Sequence, residues 1–129
     1  MKRRLSIAIL AVGLAAGCAR DARAGEADAR KLVAEAAGKV LVLTWSPLNV
    51  MRIAFAPEGR MSVIGMGLKH CDGPHPATWR IDKGQLCLNT KWSTPCFAIT
   101  REGQAYKAEE SGRQVYARID DPPLGKCGG

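Results

Sequence analysis

Residues 79–97 read W-R-I-D-K-G-Q-L-C-L-N-T-K-W-S-T-P-C-F, from Trp79 to Phe97. Trp79 and Ile81 alternate with polar residues, as do Leu86 and Leu88, so two strands each carry one apolar face. Lys83-Gly84 lies between them as a two-residue turn, with Gly supplying the positive φ that primed hairpin turns need. Centred there, Ile81 faces Leu86, Trp79 faces Leu88 and Arg80 faces Cys87. A second hairpin centred on Lys91-Trp92 sets Leu86 opposite Phe97 and Cys87 opposite Cys96. One register then satisfies both the apolar face and a directly opposed cysteine pair, a geometry that a cross-strand disulfide can use.

Working toward the C-terminus, Phe97 to Arg101 is expected to pair with Gln104 to Glu109 around Glu102-Gly103. That puts Ile99 opposite Tyr106 and Phe97 opposite Ala108. Ser111-Gly112 turns the chain again, so Ala108 faces Val115 and Tyr106 faces Ala117. The tail from Asp120, D-D-P-P-L-G-K-C-G-G, reads as loop.

Working toward the N-terminus, Leu68 to Ala77 carries two prolines and Gly73 and reads as a loop. Arg60 to Gly67 and Val50 to Pro57 pair around Glu58-Gly59, with Ile53 opposite Ile64, Phe55 opposite Ser62 and Met51 opposite Met66. Val40 to Trp45 is β-branched and apolar, hence a strand, which Ser46-Pro47-Leu48-Asn49 breaks. Residues 25–39 read as a short amphipathic helix with Leu32, Val33, Ala36 and Ala37 as its stripe and Gly38 as a stop. The fold expected is mainly β: an antiparallel meander of seven to eight short strands, closed into a small barrel or left as a curved sheet, with one N-terminal helix. Strands this short enclose side chains rather than a roomy cavity.

Residues 1–24 stand apart. Lys2, Arg3 and Arg4 precede an apolar run from Leu5 to Ala16, and small residues follow, the pattern of a bacterial-type export signal. Two cleavage sites compete. Ala22-Arg23-Ala24 would release a chain starting at Gly25. Ala15-Ala16-Gly17-Cys18 resembles a lipobox and would leave Cys18 lipidated, although Leu14 sits one position too early. The lipobox reading leads, since a Cys directly after A-A-G is hard to assign otherwise. The expected organisation is therefore a leader over residues 1–24, a helix over 25–39 and one β domain over 40–129.

Net charge is +7 for the whole chain. Five of the basic residues (Lys2, Arg3, Arg4, Arg20, Arg23) and Asp21 belong to the leader, which leaves 14 basic and 11 acidic residues, or +3. There is no basic stripe with interleaved aromatics, so nucleic acid is not an expected partner. Beyond the leader no apolar run is long enough for a membrane span, so membrane contact is expected only through a lipid at Cys18.

Either cut keeps Cys71, Cys87, Cys96 and Cys127. An even count in a short exported chain argues for a disulfide framework. The register assigns Cys87 to Cys96, and Cys71 to Cys127 follows by elimination.

The segment G-P-H-P-A-T-W-R-I-D-K-G-Q-L-C-L…C-F-A-I resembles a signature of small exported bacterial proteins of unknown function that share W-x-I-x-x-G-x-L-C followed by a Cys in the next strand. The resemblance covers roughly the second half of the mature chain. It implies a fold and no activity, and it carries over Trp79, Cys87 and Cys96 only as structural positions.

The densest chemistry lies in His70-Cys71-Asp72-Gly73-Pro74-His75. Two imidazoles, a thiol and a carboxylate could hold Zn²⁺ or copper, with His70 and His75 as the ligands to test. Against this, Cys71 is assigned to a disulfide, and Met51 and Met66 on the apolar face read as packing. No nucleophile elbow, redox C-x-x-C or phosphate cradle is present, so no catalytic residue and no cofactor is expected. Trp92, between Lys91 and Ser93 on a loop with a disulfide at its base, is the candidate contact residue. Its alternative is to fold back over the Cys87–Cys96 bridge. The function expected is a non-enzymatic recognition module of the envelope, periplasmic or lipid-anchored, with an envelope protein as partner. The alternative is small-ligand or metal binding at the His70–His75 loop.

Overall fold

The computed structural model describes residues 23–128. Most of the leader expected over residues 1–24, and the lipidation expected at Cys18, lie outside them. Eight antiparallel strands follow one helix, α1 (23–36): β1 Val40–Ser46, β2 Asn49–Ala56, β3 Arg60–Gly67, β4 His70–Asp82, β5 Gln85–Asn89, β6 Cys96–Glu102, β7 Ala105–Glu110 and β8 Arg113–Asp120. Each strand pairs with the next, and β1 pairs with β8, so the meander closes into a barrel. Closure gives every strand a neighbour on both sides, although β5 is too short to cover the whole of β4.

The central hairpins take the expected register. Trp79 pairs with Leu88, Arg80 with Cys87 and Ile81 with Leu86. Leu86 pairs with Phe97 and Cys87 with Cys96. The Cys87–Cys96 bridge has Cα atoms 4.0 Å apart, and Cys71–Cys127 is bridged at 5.6 Å. Ala108–Val115 and Tyr106–Ala117 also pair as expected.

Two other registers differ. In β2–β3, Ile53 pairs with Val63, Phe55 with Met61 and Met51 with Gly65. Three residues, not two, separate Ala56 from Arg60, and Glu58 and Gly59 both take positive φ. A one-residue slip exchanges the faces of a strand. Met61 and Val63 therefore enter the core, while Met66 stands 40% exposed. β3 carries apolar side chains on both faces, so alternation alone could not choose between them. Ile64 is outward yet buried, because the tail around Pro123 and Leu124 lies against it. In β6–β7 the turn falls one residue late, at Gly103-Gln104, and Ile99 pairs with Ala108. That two-residue shift keeps every side chain on its expected face.

The interior is filled by Leu41, Leu43, Ile53, Val63, Leu86, Leu88, Phe97, Ile99 and Val115, all buried. Helix α1 closes one end. It is helical from the first described residue, 23, and stops at 36 rather than 39, with Gly38 left-handed just beyond it (φ 76°), as a helix C-terminus favours. Its buried stripe is Ala29, Leu32 and Ala36, spaced three and four apart. Ala37, expected in that stripe, is exposed. Asp28 accepts from the Arg101 backbone N–H at 3.1 Å. Glu35 accepts from Arg101 Nη1 at 3.1 Å and from the Tyr106 hydroxyl at 2.8 Å. Burial and then the Glu35 carboxylate push the Tyr106 phenol up to about 12, so it stays a donor. The other end of the barrel, ringed by the β1–β2, β3–β4, β5–β6 and β7–β8 connections, is its mouth.

The expected loop over Leu68–Ala77 is instead the first half of β4. Only Leu68 and Lys69 turn, and pairing with β3 resumes at His70. The prolines are tolerated because β5 reaches only to Thr78. Residues 70–77 are laddered only to β3, so a missing N–H on the side away from β3 breaks no ladder bond. Gly73 (φ 130°) forms a bulge. A Cβ on it would lie 2.6 Å from the Val63 carbonyl oxygen, a space that no side chain can occupy.

Candidate functional site

The short β5 leaves a gap in the wall between the upper half of β4 and β6. The connection from Thr90 to Pro95 fills it. This loop is built on Thr90, whose Oγ1 accepts from the backbone N–H of Trp92 (3.2 Å) and of Ser93 (3.1 Å) and donates to the Ser93 carbonyl (2.9 Å). The Thr90 N–H also donates to that carbonyl at 3.0 Å. With the Cys87–Cys96 bridge at its base, the loop has little freedom, and it delivers Lys91 and Trp92 to the mouth.

There they meet β4. Asp72 and His75, three residues apart, would face opposite sides of a regular strand. The bulge at Gly73-Pro74 changes the count. Asp72 pairs with Gly65 and His75 with Val63, both inward positions, so both side chains share the inner face. His75 Nε2 lies 2.6 Å from Asp72 Oδ1 and therefore donates to it. Lys91 Nζ lies 3.2 Å from Asp72 Oδ2. Trp92 Nε1 donates to the same oxygen at 3.2 Å. Three donors thus converge on one carboxylate, and the bond from His75, followed by that from Lys91, holds the Asp72 carboxyl down at about 2.

The indole of Trp92 packs edge-on against His75, with ring centroids 5.8 Å apart. It also lies so close to Gly65 that a Cβ there would sit 3.1 Å from two ring carbons. Trp92 is 38% exposed. It neither stands free at a hairpin tip nor covers the Cys87–Cys96 bridge. It is seated across the barrel mouth, over Gly65.

The mouth encloses an open cleft of about 540 Å³. Trp45, Asn49, Met51, Gly65, Trp92 and Arg113 contribute to its walls, and His70 reaches it from the start of β4. The structure thus brings His70 and His75 to the same end of the barrel but gives them different roles. His75 is committed to Asp72, Cys71 is locked in its disulfide on the exposed side, and His70 borders the cleft. Among the described residues no three His, Cys, Asp or Glu side chains converge as a metal would need. Sequence reasoning singled out His75, Asp72 and Trp92 without joining them. The Gly-Pro pair at 73–74 was the available signal, since a bulge is what brings residues three apart onto one face.

A pH dependence follows. The unfolded Asp72 carboxyl titrates near 3.8, whereas the folded one holds on to about 2. A depressed folded pKa contributes stability that is complete above the unfolded value and is lost as pH falls toward the folded one. The thermal midpoint of the wild type is therefore expected to drop between pH 4 and pH 2 more steeply than that of Asp72→Asn. Parallel curves would show that Asp72 is not the acid-sensitive anchor of the loop.

No protein-family model, no curated protein and no solved structure matches this chain.

Proposed function

We propose that the protein is an exported, non-catalytic recognition module of the bacterial envelope, anchored by lipid at Cys18, and that the barrel mouth is its binding face. The observation that carries this is where the apolar surface lies. Among the described residues five large apolar side chains stand exposed: Leu48 (58%), Met66 (40%), Leu68 (71%), Trp92 (38%) and Tyr116 (66%). All except Tyr116 lie at the mouth, on the β1–β2 turn, the end of β3, the β3–β4 turn and the β5–β6 loop. Apolar side chains gathered at one end of a small barrel mark a contact surface. The polar groups beneath them, Asp72 and His75, are bonded to each other and hold the loop in place.

Three features support export and anchoring. The leader pattern, the two disulfides and the resemblance of the Trp79–Phe97 hairpin to small exported proteins all point the same way.

The test is site-specific photo-crosslinking in the native envelope. A photoreactive residue at Leu68 is expected to give a defined adduct that disappears when Trp92 is changed to Ala. The same probe at Tyr116, away from the mouth, is expected to give none. Equal labelling from both positions, or an adduct indifferent to Trp92, would overturn the assignment of the mouth.

A further inference from the structure

The mouth cleft holds two indoles, and each has its N–H committed to a carboxylate. Trp45, at the end of β1, donates to Glu110 Oε1 at 2.9 Å. Trp92 donates to Asp72 at 3.2 Å. Each ring is also braced from the side, Trp45 by Phe97 at 5.7 Å and Trp92 by His75 at 5.8 Å. An indole whose only polar atom is already bonded presents its carbon surface to whatever enters the cleft. Both tryptophans line the same cleft, whose walls also include Asn49, Ser93, Arg113 and His70: an amide, a hydroxyl, a guanidinium and an imidazole.

Rigid aromatic surfaces in one cleft with polar donors and acceptors complement one kind of ligand in particular. A pyranose ring has an apolar C–H face that packs on an indole and a rim of hydroxyls that needs amide, guanidinium and hydroxyl partners. A purely apolar partner would leave Asn49, Ser93 and Arg113 unpaired on burial, which is costly. The cleft volume of about 540 Å³ falls within the range of roughly 300–1,000 Å³ in which small-molecule sites lie. Because both tryptophans are held before any ligand arrives, little side-chain ordering is left for binding to oppose.

We propose that the mouth cleft is a saccharide-binding site, with Trp45 and Trp92 as its stacking platforms and Asn49 and Arg113 as its hydroxyl-reading groups. This rests on the reading of the mouth as the binding face. It replaces the envelope protein expected from the sequence with an envelope glycan as the primary ligand.

The full mature protein would be titrated with a tetramer of N-acetylglucosamine and, separately, a tetramer of glucose, following tryptophan fluorescence and saturation-transfer NMR. A saturable response to at least one sugar is expected. Trp92→Ala and Asn49→Ala should each weaken it by about tenfold or more, while Tyr116→Ala should bind as the wild type does. Asn49→Ala keeps the test decisive if the loop of Trp92→Ala is disturbed. Saturable binding that neither substitution weakens overturns the site. No saturation with either sugar up to about 10 mM overturns the ligand class. In that case a Trp92-dependent crosslink from Leu68 identifies a protein partner at the same face. Loss of the crosslink as well means that the mouth is not the binding face at all.

Discussion

Phe97→Ala is expected to lower stability by about 4 kcal/mol, the scale for removing a fully buried aromatic side chain. Phe97 is 0% exposed and stands among the largest fully buried side chains of the chain. It pairs with Leu86 across β5–β6 and follows Cys96, which is bridged to Cys87. The site cannot collapse easily, because the bridge fixes the backbone on one side and the closed barrel fixes it on all others. The cavity term therefore stays close to its full value. In a domain of about 100 residues this corresponds to a fall in thermal midpoint of about 15–30 °C, a large part of the stability such a domain has. Calorimetry would decide it, and a fall of under about 5 °C would mean that the barrel interior is much looser than its burial implies. There is a functional echo. Phe97 braces Trp45, so in the cold, where the variant remains folded, sugar affinity should weaken although residue 97 does not line the cleft.

The second large effect is expected from Cys71→Ser combined with Cys127→Ser. The bridge spans 56 residues of sequence, and opening a loop of that length returns about 4 kcal/mol of chain entropy to the unfolded state. Cys71 is exposed, so serine there does little packing damage, and the loss is mainly in the unfolded ensemble and in the tail. The tail is held otherwise by modest contacts. Arg52 Nε donates to the Leu124 carbonyl at 3.4 Å, and the Cys127 N–H donates to the Gly73 carbonyl at 3.3 Å. Without the bridge the tail should leave the outer face and expose Ile64. Urea unfolding should show the midpoint falling by about 2 M. An unchanged midpoint would show that the tail and the bridge are dispensable. The Cys87–Cys96 bridge spans only 9 residues, so its chain-entropy share is smaller, about 3 kcal/mol.

Much of this architecture was legible where the chain states its register twice. Between Trp79 and Phe97, the apolar alternation and the cysteine pair are independent constraints, and both select the same pairing. Ser111-Gly112 likewise left one choice. Legibility failed where only one constraint was available. In β3, R-M-S-V-I-G-M-G, both faces are apolar, and the face that turned outward is covered by a tail more than fifty residues away, which no local pattern can announce. Pro74 and Pro76 argued against a strand by their missing N–H groups. They are harmless because β5 is short, and the length of a neighbouring strand is not written in the residues of β4. The Asp72–His75–Trp92 cluster escaped for the same reason: it depends on a bulge in one strand and on the gap that the next strand leaves.

Helix α1 and the mouth occupy opposite ends of the barrel, and this gives the molecule a direction. Gly25, near the start of the helix, lies against Gly84 at the β4–β5 turn, where a Cβ would come within 3.0 Å of the Gly84 carbonyl oxygen. The chain thus enters the fold at the end far from Trp92. Cys18 is five residues before Arg23, and five residues of chain reach at most about 18 Å. A lipid there would hold the closed end close to the bilayer, and the body of the barrel would serve as a spacer. The open cleft would look outward from the membrane surface, toward the glycan layer and away from the lipid.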